Sequence, residues 1–481
     1  AISSSPWVFR LFQITVNGLA AVVLFLCFNH IFRRQFSGRM ATWTAFVGAL
    51  IFAIHPGISE AVLWISTIAD PLATLLYLSS FAYLLSSPPR VRLSSFLFLL
   101  ALLTKETSLM FFPIILLYLV LFDKKTLRPV LIWFLGTSLF YGLIRVLAVG
   151  TSAVQGLRFP SPIAQATMIV RLLTVPAEVL YYLKTFFFPM PLAISRHFVV
   201  SGITDRAFLL PAALLATLLL VVFRMRRNKL FLFFIAWFFV MLLPALNVII
   251  PLSATVADRW FYAAAIGAIG AVLTVIVPLA SRIKPAAIFL AVLLFGLLSA
   301  GTVTRSLQWK NGVTLYTHDV AVNSSSFDLQ NNYGVELFRH GQIEEASQAF
   351  ARSIALNPRW WVAANNLGAV YERQGNASKA KEQYQMSIKA GDYYLAYENL
   401  AKLLVFRLHD PKQAMELAQR AVRAFPASTN LWMVFAIAAH QTGNKEEALA
   451  AAKQLYLLSP IPRYAELYQR IASNQPLDFS Q

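Results

Sequence analysis

The chain has 481 residues, 58% hydrophobic and only 13% charged, with 41 Lys and Arg against 22 Asp and Glu for a formal net charge of +19. That balance excludes an ordinary soluble domain and makes apolar runs of about 18 or more residues candidate membrane spans. The single cysteine, Cys27, excludes a disulfide framework and a thiolate metal site.

The charge is unevenly spread. Residues from Asp319 onward hold 16 Lys and Arg against 15 Asp and Glu, so 25 of the 41 bases but only 7 of the 22 acids precede it. A basic excess on a soluble domain is a nucleic-acid footprint. Here it lies in short loops between apolar runs, where it sets orientation, and no nucleic-acid partner is expected.

In chain order, the first apolar run covers 7–32. It is too long for a signal-peptide core, and Arg33 and Arg34 follow it. It reads as a span running from outside to inside. Such a span ordinarily follows an earlier one, so a first helix and its outer loop are expected upstream of Ala1. Further candidate spans are 41–54, 71–86, 92–104, 107–122, 129–149, 207–223, 229–247, 259–279 and 285–304. Basic loops alternate with them: Arg33, Arg34 and Arg39; Arg90 and Arg92; Lys124, Lys125 and Arg128; Arg224, Arg226, Arg227 and Lys229; Arg282 and Lys284. All five fall on one side if residues 150–206 make no net crossing, and the positive-inside rule makes that side the cytoplasm. The segment 163–192 carries Arg171, Pro176, Glu178, Lys184 and Pro189, and is expected to be interfacial or re-entrant.

The stretch HPGISEAVLWISTIADPL, residues 55–72, then faces outward with His55, Glu60 and Asp70; so do Lys105, Glu106, Asp258 and Arg259. Charged groups in a bilayer are costly and need partners. A short helix is expected over 58–68, which turns Glu60 and Asp70 in different directions, about 15 Å apart along the axis. They cannot act as a paired couple of glycosidase type. Lys105 and Glu106 diverge as neighbours, as do Asp258 and Arg259. The economical arrangement is one outward cavity where acids meet bases from other helices. Structural pairing at the interface remains the alternative for Glu60, Asp70, Lys105 and Glu106, and a loop-fixing turn for His55-Pro56. Arg145 either binds phosphate or snorkels. No Walker loop, dinucleotide glycine pattern, HExxH or CxxC occurs.

The last third repeats. NNYG at 331–334 recurs as NNLG at 365–368; Gly341 matches Gly375, Ala346 matches Ala380, Phe350 matches Tyr384, and the frame continues through Ala414 and Ala448. This is the tetratricopeptide pattern of paired antiparallel helices, giving about four units, the third degenerate, stacked into a curved groove. Trp360 and Trp361 read as repeat core or rim. The expected fold is all-α: a polytopic membrane domain over 1–306, a linker over 307–324 and a tetratricopeptide solenoid over 325–481, on the non-cytoplasmic side by span parity.

The ordered set HPGISEAVLWISTIADPLATLLY, LLTKETSLMFFPIILLYL, LLPALNVIIPLSATVADRWFYAAAIG and SLQWKNGVTLYTHDVAVN, followed by repeats, resembles the transmembrane-and-tetratricopeptide O-mannosyltransferases. Those and their bacterial relatives belong to the protein-mannosyltransferase-like membrane glycosyltransferases of the C-type fold. The resemblance implies transfer of mannose or a similar sugar from a polyprenyl-phosphate lipid to a hydroxyl of an acceptor protein or glycan, at the outer membrane face. A lipid phosphate needs cations, for which Lys105, Arg145 and Arg259 are the candidates. The acceptor hydroxyl needs a base, for which Glu60, Asp70 and Glu106 are the candidates, with His55 and Asp258 as further cavity residues. In similar enzymes the main acid lies in the first outer loop, so the principal base is expected upstream of Ala1. Two departures from the family pattern, TIA before Asp70 and FRLFQITVN in the first run, leave Glu60 and Asp70 as binders of acceptor, metal or donor. A divalent cation is left open. The localisation implied is a bacterial inner membrane with periplasmic repeats, or an endoplasmic reticulum membrane with lumenal repeats. The rival reading is a non-catalytic, membrane-anchored repeat scaffold. A transporter ranks last, because neither inverted repeats nor mid-span charges are evident.

Overall fold

The computed structural model describes residues 6–150, 160–280 and 284–477. Ala1, the region expected upstream of it and Arg282 lie outside these. Among the described residues every regular element is a helix, with one isolated antiparallel bridge between Arg196 and Val256. The chain divides into two compact units, Ala1–Asn323 and Ser324–Gln481.

In the first unit each of the ten apolar runs lies on a helix. Among the described residues six helices are long and apolar enough to cross a membrane, or seven if the bent pair Gly38–Ile54 and Pro56–Leu63 is one span. Val91–Thr104, Glu106–Phe122 and Lys229–Ala245 are apolar but shorter. Helices in lipid gain most from close packing, and small residues supply it here. A Cβ on Gly267 would stand 2.4 Å from the Phe238 backbone nitrogen, and one on Gly270 2.3 Å from the Phe234 ring. The helices Lys229–Leu242 and Tyr262–Ala280 therefore meet backbone to backbone. Around them Phe28, Phe81, Phe111, Tyr118, Phe233 and Trp237 form a buried aromatic core, many of the ring pairs edge-to-face. By contrast, Arg206–Arg224 and the run inside Lys284–Gln308 are almost bare of protein contact, leaving apolar faces for lipid. The Met168–Phe187 helix is not among those apolar enough to cross.

Two sequence expectations change. The single helix expected over 58–68 is broken: Ser59–Leu63 ends at Trp64, whose backbone is extended, and a 3-10 turn follows at Ile65–Thr67. The Trp64 carbonyl is taken by the Gln13 amide at 2.9 Å and the Thr67 hydroxyl at 2.6 Å, so it cannot continue a helical ladder. Residues 307–324, expected as a linker, instead carry the end of Lys284–Gln308 and a further helix, Gly312–Val322. Arg305 and Asp319 bind there through two hydrogen bonds of 2.7 and 3.3 Å, and both are buried. Asp319 also accepts from the Ile194 backbone at 3.0 Å. The pair ties this stretch into the first unit.

The second unit contains four antiparallel helix pairs, from Phe327–Arg339 and Ile343–Leu356 to Thr429–Gln441 and Lys445–Leu458, and a ninth helix, Pro462–Ala472. Ala346, Ala380, Ala414 and Ala448 are fully buried where paired helices cross, and Phe350 and Tyr384 wedge between them. Gly341, Gly375 and Gly443 turn three of the pairs at φ of +79°, +77° and +80°, the left-handed backbone that glycine adopts without strain. The third pair has no glycine there and puts His409 at φ +52°, which is where the repeat degenerates.

Candidate functional site

The site is assembled from helix ends. Asp70 lies in the first turn of Ala69–Leu84, where a carboxylate meets the positive end of the helix dipole. Lys105 caps the C-terminus of Val91–Thr104 in extended conformation, and Glu106 starts the 3-10 turn Glu106–Met110. That junction is fixed by Ser108, whose hydroxyl donates to the Ala101 carbonyl at 3.0 Å and whose backbone N–H donates to the Lys105 carbonyl at 3.0 Å. The Lys105 ammonium forms a short ion pair with Asp70. Glu106 makes no hydrogen bond or ion pair with any described residue, and it is exposed.

Asp70, Lys105 and Glu106 line one cavity of about 230 Å³. Tyr77, Thr107, Ser108 and Trp260 add polar edges and an aromatic wall, while Met241, Pro244, Leu252 and Ala263 make an apolar side. A charged end beside an apolar wall suits a ligand that is polar at one end and hydrocarbon at the other.

Arg259 lies next to this cavity but not in its lining. Its backbone N–H donates to one oxygen of Glu60 at 3.0 Å and its guanidinium to the other at 2.6 Å. The guanidinium sits over the rings of Trp64 and Trp260, 5.1 and 5.2 Å from their centroids. Trp260 therefore serves both the cavity wall and the Arg259 platform. Glu60 is 1% exposed, and each of its oxygens accepts from Arg259, so it orients Arg259 and is shielded from a ligand in the cavity. Such a doubly bonded, desolvated pair holds its geometry well.

The remaining sequence candidates lie elsewhere. His55 is buried outside the cavity: its Nδ1 accepts from the Gly57 backbone at 3.0 Å, its Nε2 reaches the Phe186 carbonyl at 2.9 Å, and its ring stacks on Phe186. Both nitrogens are used in holding the turn. Asp258 accepts from the Tyr181 hydroxyl, while its second oxygen is buried without a partner among the described residues. Arg145 is exposed on Leu127–Val149 and does not line the cavity. Lys105 and Glu106, expected to diverge as neighbours, both line the cavity, whereas Asp258 and Arg259 have separate partners, Tyr181 and Glu60. Tyr77 and Tyr181 were not singled out in the sequence; a tyrosine in an apolar run carries no signal of its own. Trp260, by contrast, lies in the ADRWFY stretch that carries the family resemblance. Among the described residues no three His, Cys, Asp or Glu side chains are grouped to hold a metal ion.

Comparison with known proteins adds two findings. Residues 334–394 and 403–463 match the tetratricopeptide repeat model. A protein O-mannosyl-transferase of Caenorhabditis elegans is 24% identical over 321 residues, which is 65% of this chain and 46% of the relative; the chain thus spans under half that relative's length. Among solved structures, YrrB, described as a tetratricopeptide protein with an unusual peptide-binding site, is 20% identical over 34% of this chain and 92% of its own, with a TM-score of 0.29. PilF of Pseudomonas aeruginosa is 18% identical over 44% of this chain and 89% of its own, also at 0.29.

Proposed function

We propose that the chain is a membrane glycosyltransferase that moves a hexose, mannose or a similar sugar, from a polyprenyl-phosphate donor to a hydroxyl of a protein acceptor on the non-cytoplasmic face. The observation that carries this reading is Lys105 and Glu106 opening onto one cavity, the first a cation held in place by Asp70 and the second a carboxylate with no partner among the described residues. A distant O-mannosyl-transferase relative supports the reaction class.

In this reading the acceptor O–H gives its proton to the Glu106 carboxylate while its oxygen bonds the anomeric carbon. The bond from that carbon to the phosphate oxygen breaks, and polyprenyl phosphate leaves with the electron pair. Lys105 neutralises the charge that develops on the phosphate, and an ion-paired cation is already oriented for this task. Arg259, pinned by Glu60, is the second cation for the donor. The apolar wall of Met241, Pro244 and Leu252 takes the first isoprenoid units, and Asp70 positions Lys105. Cations at the phosphate, a base at the hydroxyl and an apolar wall beside both are what this transfer requires.

The test is full-length protein in a bilayer, supplied with polyprenyl-phosphate mannose or glucose and a Ser/Thr peptide. The expected result is a peptide heavier by one hexose. Failure to glycosylate any peptide, protein or glycan from either donor overturns the reading and leaves the anchored scaffold.

A further inference from the structure

The transfer reading leaves one polar group of its cavity without a task, the hydroxyl of Tyr77. Tyr77 is 2% exposed, and its ring is stacked on Phe111 with centroids 4.5 Å apart, so the hydroxyl is held in place. It makes no hydrogen bond with any described residue; Thr74 adjoins it without completing one. Three other tyrosines of the first unit are buried as deeply, and each hydroxyl is engaged. Tyr118 accepts from Arg34 at 3.5 Å, Tyr182 donates to the Ala257 carbonyl at 3.4 Å, and Tyr262 donates to Asn17 at 2.7 Å. Buried tyrosines ordinarily find such partners, and an unmade hydrogen bond inside a membrane domain is costly. A phenylalanine would fill the same space without that cost.

The place of the hydroxyl indicates what would use it. Asp70, Ala73 and Tyr77 line the cavity at i, i+3 and i+7 of the Ala69–Leu84 helix, which is one face of it. Tyr77 lies about 10 Å of helix rise beyond Asp70, away from the charged end. Helical side chains lean back toward the N-terminus, so the hydroxyl is turned toward Asp70 and Lys105. Ala73, Ala245 and Ala263, which share the cavity with it, have no polar side-chain atom to offer. The hydroxyl is thus a neutral donor set between an ion pair and an apolar wall. It suits an acceptor oxygen at the inner end of a ligand's polar head, where the head gives way to hydrocarbon. In a polyprenyl-phosphate sugar that oxygen belongs to the phosphate, because the sugar lies on the phosphate's other side.

We propose that the Tyr77 hydroxyl donates a hydrogen bond to a phosphate oxygen of the lipid donor and so sets how deep the phosphate sits in the cavity. The inference rests on the transfer reading for the identity of the ligand, and it adds to that reading a binding residue with no charge. Lys105 recognises the phosphate by its charge; Tyr77 recognises one of its oxygens from the apolar side. A ligand whose hydrocarbon began at the level of Asp70 would leave the hydroxyl desolvated and unpaired, so the two groups together select a head that reaches past the ion pair.

The experiment measures binding of polyprenyl phosphate, without sugar, to full-length protein in nanodiscs, for wild type and Tyr77→Phe. Loss of a buried hydrogen bond to a charged group weakens binding by about ten-fold or more, and that loss is expected in Tyr77→Phe. The thermal midpoint of the ligand-free variant is expected at or above that of wild type, because the hydroxyl gives up no bond. Inorganic phosphate at equal concentration should not compete, since it lacks the hydrocarbon. In a transfer assay the variant should raise KM for the donor about ten-fold, with kcat within about three-fold of wild type. Equal affinity of the two proteins for polyprenyl phosphate overturns the inference, whatever the transfer assay shows. A lowered midpoint or a failure to fold also overturns it, by making the hydroxyl structural. Displacement of the lipid by inorganic phosphate assigns the site to a free anion and overturns it as well. Weaker lipid binding in Tyr77→Phe without any sugar transfer keeps this inference and counts against the transfer reading alone, whereas wild-type protein that binds no polyprenyl phosphate overturns both.

Discussion

The two units handle charge in opposite ways. In the first, ion pairs join distant segments and are partly or wholly buried: Lys105 with Asp70, Arg259 with Glu60, Arg305 with Asp319. In the second, the ion pairs Arg339 with Glu336 and Arg470 with Glu466 are local, each on a single helix, while the contacts between repeats are largely small apolar residues and uncharged polar groups, with Glu398 accepting from Ser428 and Asn430. The solvent explains the contrast. Where lipid surrounds the helices, a charge without a partner is expensive, so most buried ionic groups there are matched by a group from another segment, and the matching fixes how remote segments meet. Where water surrounds them, surface pairs add little, and repetition of alanines, aromatics and asparagines specifies the stack instead.

That contrast can be broken in order of expected effect. Arg305→Ala leaves Asp319 buried with only the Ile194 N–H and the His318 ring beside it, and removal of the fully buried partner of such a pair costs about 3–5 kcal/mol. The expected outcome is loss of a cooperative thermal transition in detergent; a midpoint within a few degrees of wild type would contradict the arrangement. Glu60→Gln keeps the shape but removes the charge opposite Arg259, which is 17% exposed. Partial hydration reduces the cost to about 1–3 kcal/mol, read as a lowered midpoint with the fold retained. In the repeat unit, His409→Gly relieves a left-handed backbone at an exposed position. It should stabilise by about 0.5–1 kcal/mol, seen as a higher denaturant midpoint, and a lower midpoint would mean the turn is held by the side chain. Arg470→Ala should move the midpoint by no more than about 0.5 kcal/mol. A large effect there would remove the distinction between the units.

The same difference decides what was legible in the sequence. The repeats were readable because each feature recurs: Gly341 and Gly375, Ala346 and Ala380, Phe350 and Tyr384 announce one another at a fixed interval. The apolar runs were readable by length, and the cavity acids by their rarity in such runs. What could not be read was pairing. Nothing local says that Glu60 is spent on Arg259, 199 residues away, or that His55 closes a turn on Phe186. The helix expected over 58–68 failed for the same reason, since the Trp64 carbonyl is captured by Gln13 from another helix. Residues 307–324 looked like a linker because they are more polar than a span; Arg305 and Asp319 make that polarity internal. Arg145 looked equivalent to Lys105 as a cation at a helix end, and only packing separates them.

The central claim is that Glu106 does chemistry while Glu60 holds geometry. It is tested most directly by comparing sugar-transfer turnover and thermal midpoint for Glu106→Gln in full-length protein. Loss of a general base lowers turnover by about 100-fold or more. The account predicts that loss in kcat at an unchanged midpoint, because Glu106 has no ion-pair or hydrogen-bond partner among the described residues. Turnover at the wild-type level in Glu106→Gln would contradict it.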